Sequence, residues 1–205
     1  MKIAIIGSGN VGSALAEKWS AAGHAVVFGT RERSNFKGKA AAQRSSIAVK
    51  TIAEAVNSAE VILLATPATA AVEVAKSLGD TTGKVIVDAM NIVGGRGPEG
   101  FRSAAAAILA NTPSREVVKC FNTTGFNNMQ NTVYGNERID MFMAGDSKSA
   151  KERIRQLALD AGFAECYDVG GNDKFELMEQ FAFFWINLAM MQGQGRDIGF
   201  KLLKR

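Results

Sequence analysis

Three glycines near the start of the chain, in Gly7-Ser8-Gly9-Asn10-Val11-Gly12, have the spacing of a turn that binds a diphosphate. The chemistry is that of backbone N–H groups rather than of side chains. The first glycine permits a tight exit from a strand, the second leaves room for two linked phosphates to approach the backbone, and the third lets a helix lie close to the sheet. The start of that helix then offers unpaired N–H groups and a partial positive charge to the anion. A glycine pattern alone is a weak signal, and its flanks decide its meaning. Here the β-branched run Ile3-Ala4-Ile5-Ile6 precedes it, helix-forming residues 13–19 follow, and after Gly23-His24 the run Ala25-Val26-Val27-Phe28 reads as a second strand. Strand, glycine turn, helix and strand in this order point to a bound dinucleotide.

The end of the second strand indicates which dinucleotide. An NAD site places Asp or Glu there to accept the ribose hydroxyls, and a carboxylate at that point repels a 2′-phosphate. This chain has Gly29-Thr30-Arg31, then Glu32, Arg33, Ser34 and Lys37. Arg31 can hold a phosphate with two parallel hydrogen bonds, and Thr30 and Ser34 add hydroxyls. Arg33 and Lys37 either add charge or are solvated. NADP(H) is the cofactor this pattern predicts.

No catalytic set accompanies the turn. His24 is the only histidine and lies between Gly23 and a strand, where a structural role is expected. Cys120 and Cys166 lie in separate apolar runs, with neither zinc nor redox spacing, so no metal site is expected. Hydride transfer tolerates this absence, because it requires a donor carbon and an acceptor held near contact in a dry site, not a protein nucleophile.

The elements that must position these residues follow from the periodicity. Further strands are predicted over 46–49, 61–65, 84–88, 117–121, 139–145 and 163–169, the last at an edge. Helices are predicted over 52–57, 68–78, 103–110 and 148–160. The fold class is α/β, a Rossmann-type fold with a mostly parallel sheet of about eight strands, whose ligand crevice lies beyond the strand C-termini. Ala65, Thr66 and Pro67 belong at that edge, with Pro67 in the first turn of the next helix. Asp88 and Asn91 lie there too, as loop caps or as contacts to a ligand. Asn122, Thr123 and Thr124 are delivered to the same side as caps or hydrogen-bond donors.

From Lys174 onward the apolar positions, among them Phe181, Trp185 and Met190, cover more than one helical face. This block is either core packing or a wall of a pocket for a flat ring. In Gly193-Gln194-Gly195-Arg196-Asp197, Arg196 either touches an anionic substrate or pairs with Asp197. The expected division is a nucleotide-binding domain over 1–170 and a helical segment over 171–205 that completes the substrate pocket and a homodimer interface.

Composition agrees with a compact fold. Of 205 residues 47% are hydrophobic and 21% charged, which is ordinary for a globular protein and excludes a disordered one. A net charge of +4 without a long basic run does not mark a nucleic-acid surface. The longest apolar stretch, from Phe181 to Met191, is too short to span a bilayer, so a cytoplasmic protein with no membrane or nucleic-acid partner is expected.

The glycine turn, Gly29-Thr30-Arg31, Lys119-Cys120-Phe121-Asn122-Thr123, Met143-Ala144-Gly145-Asp146 and the ending 193–201 together resemble the NADPH-dependent deazaflavin (coenzyme F420) reductase family, the F420-dependent NADP oxidoreductase-like proteins. The resemblance covers almost the whole chain. It implies a Rossmann-type domain, a small helical part that helps form the second ring's pocket, NADP(H), and often a homodimer. It also implies that Thr30 and Arg31 meet the 2′-phosphate, while the regions after Thr66 and Phe121 flank the nicotinamide. The expected activity is hydride transfer between NADP(H) and a deazaflavin or flavin-like small-molecule ring. The alternatives are reduction of a small carbonyl, imine or ferric substrate, and a non-enzymatic NADP(H) sensor or scaffold. Arg31→Glu is expected to weaken NADPH binding by a few kcal/mol in a fluorescence titration, because an ionic contact is lost and a repulsion added.

Overall fold

A computed structural model describes residues 1–34 and 36–205. The strands are β1 (Lys2–Ile6), β2 (Ala25–Thr30), β3 (Ala48–Thr51), β4 (Val61–Leu64), β5 (Val85–Asp88), β6 (Val117–Cys120), β7 (Val133–Tyr134), β8 (Glu137–Arg138), β9 (Met141–Ala144) and β10 (Cys166–Gly170). The helices are α1 (Asn10–Ala21), α2 (Lys39–Arg44), α3 (Ile52–Ser58), α4 (Ala71–Ser77), α5 (Ala104–Asn111), α6 (Phe126–Gln130), α7 (Lys148–Asp160) and α8 (Phe175–Ile186).

Eight strands form one sheet in the order β10-β9-β6-β5-β4-β1-β2-β3, while β7 and β8 make a separate hairpin. Every neighbouring pair in the large sheet is parallel except β6 and β9. This is the α/β, mostly parallel architecture expected from the sequence, with β10 at an edge. The strand order reverses at β1, so crossovers diverge to either side of it and leave a crevice beyond its C-terminal end.

The central strands are apolar without alternation because both faces are covered. On one face α1, α6 and α7 contribute Leu15, Trp19, Met129, Ile154 and Leu157 to the core. On the other, α3, α4, α5 and the start of α8 contribute Ile52, Val56, Val74, Ile108, Phe175 and Met178. Trp19 is fully buried, donates from Nε1 to the Leu157 carbonyl at 2.8 Å, and meets the Phe121 ring edge-on at 5.5 Å.

Local chemistry sets the boundaries. β3 starts at Ala48 rather than at 46, because Ser46 adopts φ +51° and the Ile47 N–H still closes the end of α2 on Ala42. α3 opens with a reciprocal cap between Thr51 and Glu54. Pro67, with φ −57°, precedes the short 3₁₀ turn Ala68–Ala70 and α4, one residue earlier than the helical position expected for it. The short helices α2 and α6 and the β7–β8 hairpin are additions to the predicted elements. His24 has the structural setting expected of it, between the N-terminal amine at 3.1 Å and Asp160 at 2.8 Å. Cys120 and Cys166, distant in sequence, meet as buried free thiols with sulfurs 3.8 Å apart.

The chain leaves α8 through a π turn, Asn187–Met191, and its final segment folds back. Trp185 donates to the Ile198 carbonyl at 2.8 Å, and the Asp140 N–H donates to the Phe200 carbonyl at 2.9 Å. The rings of Phe142, Phe181 and Phe200 pack in succession with centroids 4.9 Å apart, all three partly buried. Asp197 accepts from Asn127 Nδ2 at 2.6 Å, and no ion pair joins it to Arg196 among the described residues. No helix among the described residues is long and apolar enough to cross a membrane.

Trp19→Phe keeps an aromatic ring in place and removes the Nε1 donor, while the Leu157 carbonyl keeps the Ala161 N–H at 3.0 Å. A loss of about 0.5–1.5 kcal/mol is expected from urea unfolding. An unchanged midpoint would mean that this bond does not hold α1 to α7.

Candidate dinucleotide-binding site

The turn after β1 is built by close approach. Gly7 has φ +105°, and a Cβ there would lie 2.4 Å from the Ala65 carbonyl oxygen. Ala65 in turn donates from its N–H to the Ile6 carbonyl at 2.8 Å, so the ends of β1 and β4 clasp the turn from behind. A Cβ on Gly12 would lie 1.9 Å from the Gly7 carbonyl oxygen, so only glycine lets the first turn of α1 press against the strand exit. Ser13 Oγ donates to the Ser8 carbonyl at 3.1 Å and fixes the loop's inner edge.

Gly9 is different. Among the described residues a Cβ on it would meet nothing within 4 Å, and its φ of −72° suits any residue. It is the N-cap of α1, yet no side chain among the described residues caps that helix. The described residues give no reason for glycine here. A backbone-binding anion does, since it needs the space a side chain would take and N–H groups that no cap occupies.

Gly7, Ser8, Thr30, Arg31, Thr66 and Pro67 line one cleft of about 270 Å³, closed on its apolar side by Ile6, Ile52, Ala70 and Val74. Asn10 and Val11 lie beside it in the first turn of α1, and Val11 packs on the core. Thr30 Oγ1 donates to the Glu32 carbonyl at 3.0 Å, and Ser34 Oγ donates to Glu32 Oε1 at 2.5 Å. The Arg31 guanidinium reaches across to Glu73 on α4 at 2.5 Å. Lys37 falls outside the residues lining this cleft.

Beyond Pro67 a second cavity of about 330 Å³ continues over Thr69, Asn91, Val93 and Arg96. Asn91 and Asn122 hold each other: Asn91 Nδ2 donates to the Asn122 carbonyl at 2.8 Å, and Asn122 Nδ2 donates to Asn91 Oδ1 at 3.0 Å. Asn122 also donates to the Met178 carbonyl at 3.0 Å, while its own Oδ1 is buried without a hydrogen-bond partner among the described residues. Thr123 is buried, with Oγ1 3.6 Å from Met141 Sδ. Asn122 and Thr123 therefore stand behind the cavity wall rather than at its surface. Thr66 Oγ1 lies 3.3 Å from Met90 Sδ.

Sequence reading gave no role to Lys119, which proves central. Its side chain is fully buried, and Nζ lies 2.8 Å from Asp88 Oδ2, 2.9 Å from the Met90 carbonyl and 2.8 Å from Glu179 Oε1. The other oxygen of Glu179 accepts the Ile92 N–H at 2.9 Å. Burial works against the ammonium, but the adjoining Asp88 and Glu179 outweigh it and hold the Lys119 pKa above its ordinary value. Asp88, left open between cap and ligand contact, is a buried partner of this lysine and also accepts the Met90 N–H at 2.9 Å. A lysine inside the run Val117-Val118-Lys119-Cys120 was the available signal, and its counter-charge stands opposite it in the β5–β6 register. Among the described residues no cluster could hold a metal ion.

Residues 2–92 match the family model described as NADP oxidoreductase, coenzyme F420-dependent. An F420-dependent NADP reductase of Methanothermobacter thermautotrophicus is 27% identical across 98% of this chain and 94% of its own length. A solved protein of Arthrobacter sp. FB24, provisionally described as an F420-dependent NADP reductase, superposes with a TM-score of 0.86 at 24% identity over the full length of both chains. A Streptomyces aurantiacus imine reductase shares the fold at 17% identity and a TM-score of 0.68, with 94% of this chain matching 64% of that one. The resemblance read from the sequence holds in both its nucleotide half and its overall fold.

Lys119→Met removes the cation and leaves two carboxylates buried without it. A loss of about 3–5 kcal/mol is expected in denaturant unfolding. A midpoint within experimental scatter of the parent would show that the three groups do not share charge as described.

Proposed function

We propose that the protein is an NADPH-dependent oxidoreductase that passes hydride between NADP(H) and a deazaflavin or flavin-like ring. The observation that carries this reading is Gly9, a glycine whose missing side chain faces open space at an uncapped helix start, one strand away from a guanidinium. A cradle that a Cβ would fill suits a diphosphate, and the neighbouring cation suits a third phosphate.

In this reading Gly7, Ser8, Gly9, Asn10, Val11 and Gly12 form the diphosphate cradle, Gly7 and Gly12 by shape and the rest by their backbone N–H groups. Thr30, Arg31 and Ser34 take the 2′-phosphate. Ala65, Thr66 and Pro67 border the nicotinamide end, where Asn91 presents its amide and Asn122 and Thr123 hold it from behind. When bound, the nicotinamide supplies the hydride. The chain supplies placement, because the cavity over Pro67, Asn91 and Val93 gives a second ring a position against the first. No side chain needs to act as a nucleophile or carry charge in the transfer.

The division into a nucleotide-binding part over 1–170 and a helical segment over 171–205 belongs to the same proposal. Phe183, Phe184, Met190 and Met191 expose about half or more of their surface on that segment, which supports its use as a homodimer interface. A cytoplasmic setting, where NADPH and its acceptor are at hand, fits this role.

Anaerobic NADPH oxidation followed by absorbance, with a deazaflavin, free flavins, quinones, cyclic imines and ferric chelates as acceptors, tests the assignment. Turnover with the deazaflavin or a flavin is expected, and NADPH should bind roughly tenfold or more tighter than NADH. Binding of NADPH with no turnover on any ring would leave a sensor in place of an enzyme.

A further inference from the structure

Arg31 is engaged before any dinucleotide reaches it. Its Nη1 lies 2.5 Å from Glu73 Oε1, and the two side chains are 69% and 68% exposed, Arg31 lining the cleft and Glu73 the groove beside it. Arg31 directly follows β2, whereas Glu73 stands in the first turn of α4. The bond thus joins the two walls between which the adenosine end would enter.

Glu73 performs none of the local duties seen at comparable carboxylates. Glu54, which pairs with Arg33 at 3.3 Å, also caps α3 through Thr51. Glu60 accepts the Lys2 N–H at 2.8 Å. No side chain caps α4, and the Glu73 carboxylate is bound to Arg31 alone among the described residues. Glu73 can also change partner without leaving its helix. Lys76 stands three residues on, and both line the adjoining groove with Val72 and Pro98. Residues three apart on a helix are neighbours, so the carboxylate can turn from Arg31 to Lys76.

We infer that Glu73 is a specificity-tuning residue, a carboxylate that holds Arg31 in place of the 2′-phosphate and must yield it when a phosphorylated dinucleotide binds. This rests on the reading that Arg31 meets that phosphate. The exchange is charge-balanced: Arg31 passes from carboxylate to phosphate, and Glu73 passes from Arg31 to Lys76. Glu73 acts on the guanidinium, so it lowers affinity for 2′-phosphorylated ligands and leaves unphosphorylated ones alone. An exposed pair is weak, and the effect has the size of a weak pair.

The test is calorimetric titration of the parent protein, Glu73→Gln, Arg31→Gln and the double variant with NADPH, NADH, adenosine 2′,5′-bisphosphate and AMP. Glutamine keeps the shape of an exposed side chain, so folding is preserved. Glu73→Gln should tighten NADPH and the bisphosphate roughly two- to fivefold and leave NADH and AMP unchanged within experimental scatter. In the Arg31→Gln background that gain should vanish. If the parent prefers NADPH and Arg31→Gln abolishes the preference, yet Glu73→Gln changes nothing, the inference falls and the 2′-phosphate assignment stands. A gain that persists without Arg31 overturns it as well, since Glu73 would then act by general repulsion. If the parent shows no preference for NADPH and Arg31→Gln alters neither ligand, the assignment itself fails and the inference with it.

Discussion

An ammonium group with no access to water stands where the sheet meets α8. Lys119 belongs to β6, Asp88 to the neighbouring strand β5, and Glu179 to α8, so one buried cation binds three elements of the chain. Charges buried in this way must be matched, because each unpaired member carries a desolvation cost of several kcal/mol. The arrangement therefore admits little slack. With Glu179 also receiving the Ile92 N–H, the loop that carries Asn91 is fixed to the same point. The edge of the crevice is held from below by electrostatics and from the sides by the asparagine pair.

The glycine-turn end of the crevice depends on shape. Gly7 and Gly12 bring backbone to within contact distance of backbone, and the exit of β1, the end of β4 and the start of α1 form one rigid corner. A rigid corner costs little to order when a ligand arrives, so its N–H groups are aimed in advance. Rigidity at one end and a matched buried charge at the other define a trough along the sheet's C-terminal edge. The distance between the two ends is set by the strand spacing rather than by loops.

Much of this was legible in the chain. The glycine spacing and the apolar runs each have a local cause, and the fold and the close-packed turn between β1 and α1 follow from them. What stayed hidden was the pairing of distant residues. Lys119 was given no role within its predicted strand, because its partners lie 31 and 60 positions away and only folding brings them together. Asn122 and Thr123 were placed at the right edge, but whether a side chain faces the cavity or the core depends on how the backbone turns after β6. The short helices α2 and α6 are too brief for a periodic pattern to register. The thiol contact between Cys120 and Cys166 likewise exists only after folding.

That turn after β6 is made by Phe121, a residue with a side chain in the left-handed region at φ +59°. Such a conformation costs on the order of 1–2 kcal/mol for any residue but glycine. Glycine would relieve the backbone and remove the ring that fills the space beside Trp19 and Phe163. The chain keeps the ring and carries the strain. A loop on the rim of the ligand trough thus owes its path to an aromatic anchor on the far side of the sheet. Evolution at Trp19 or Phe163, well out of reach of any substrate, would be transmitted to the rim as a change in direction.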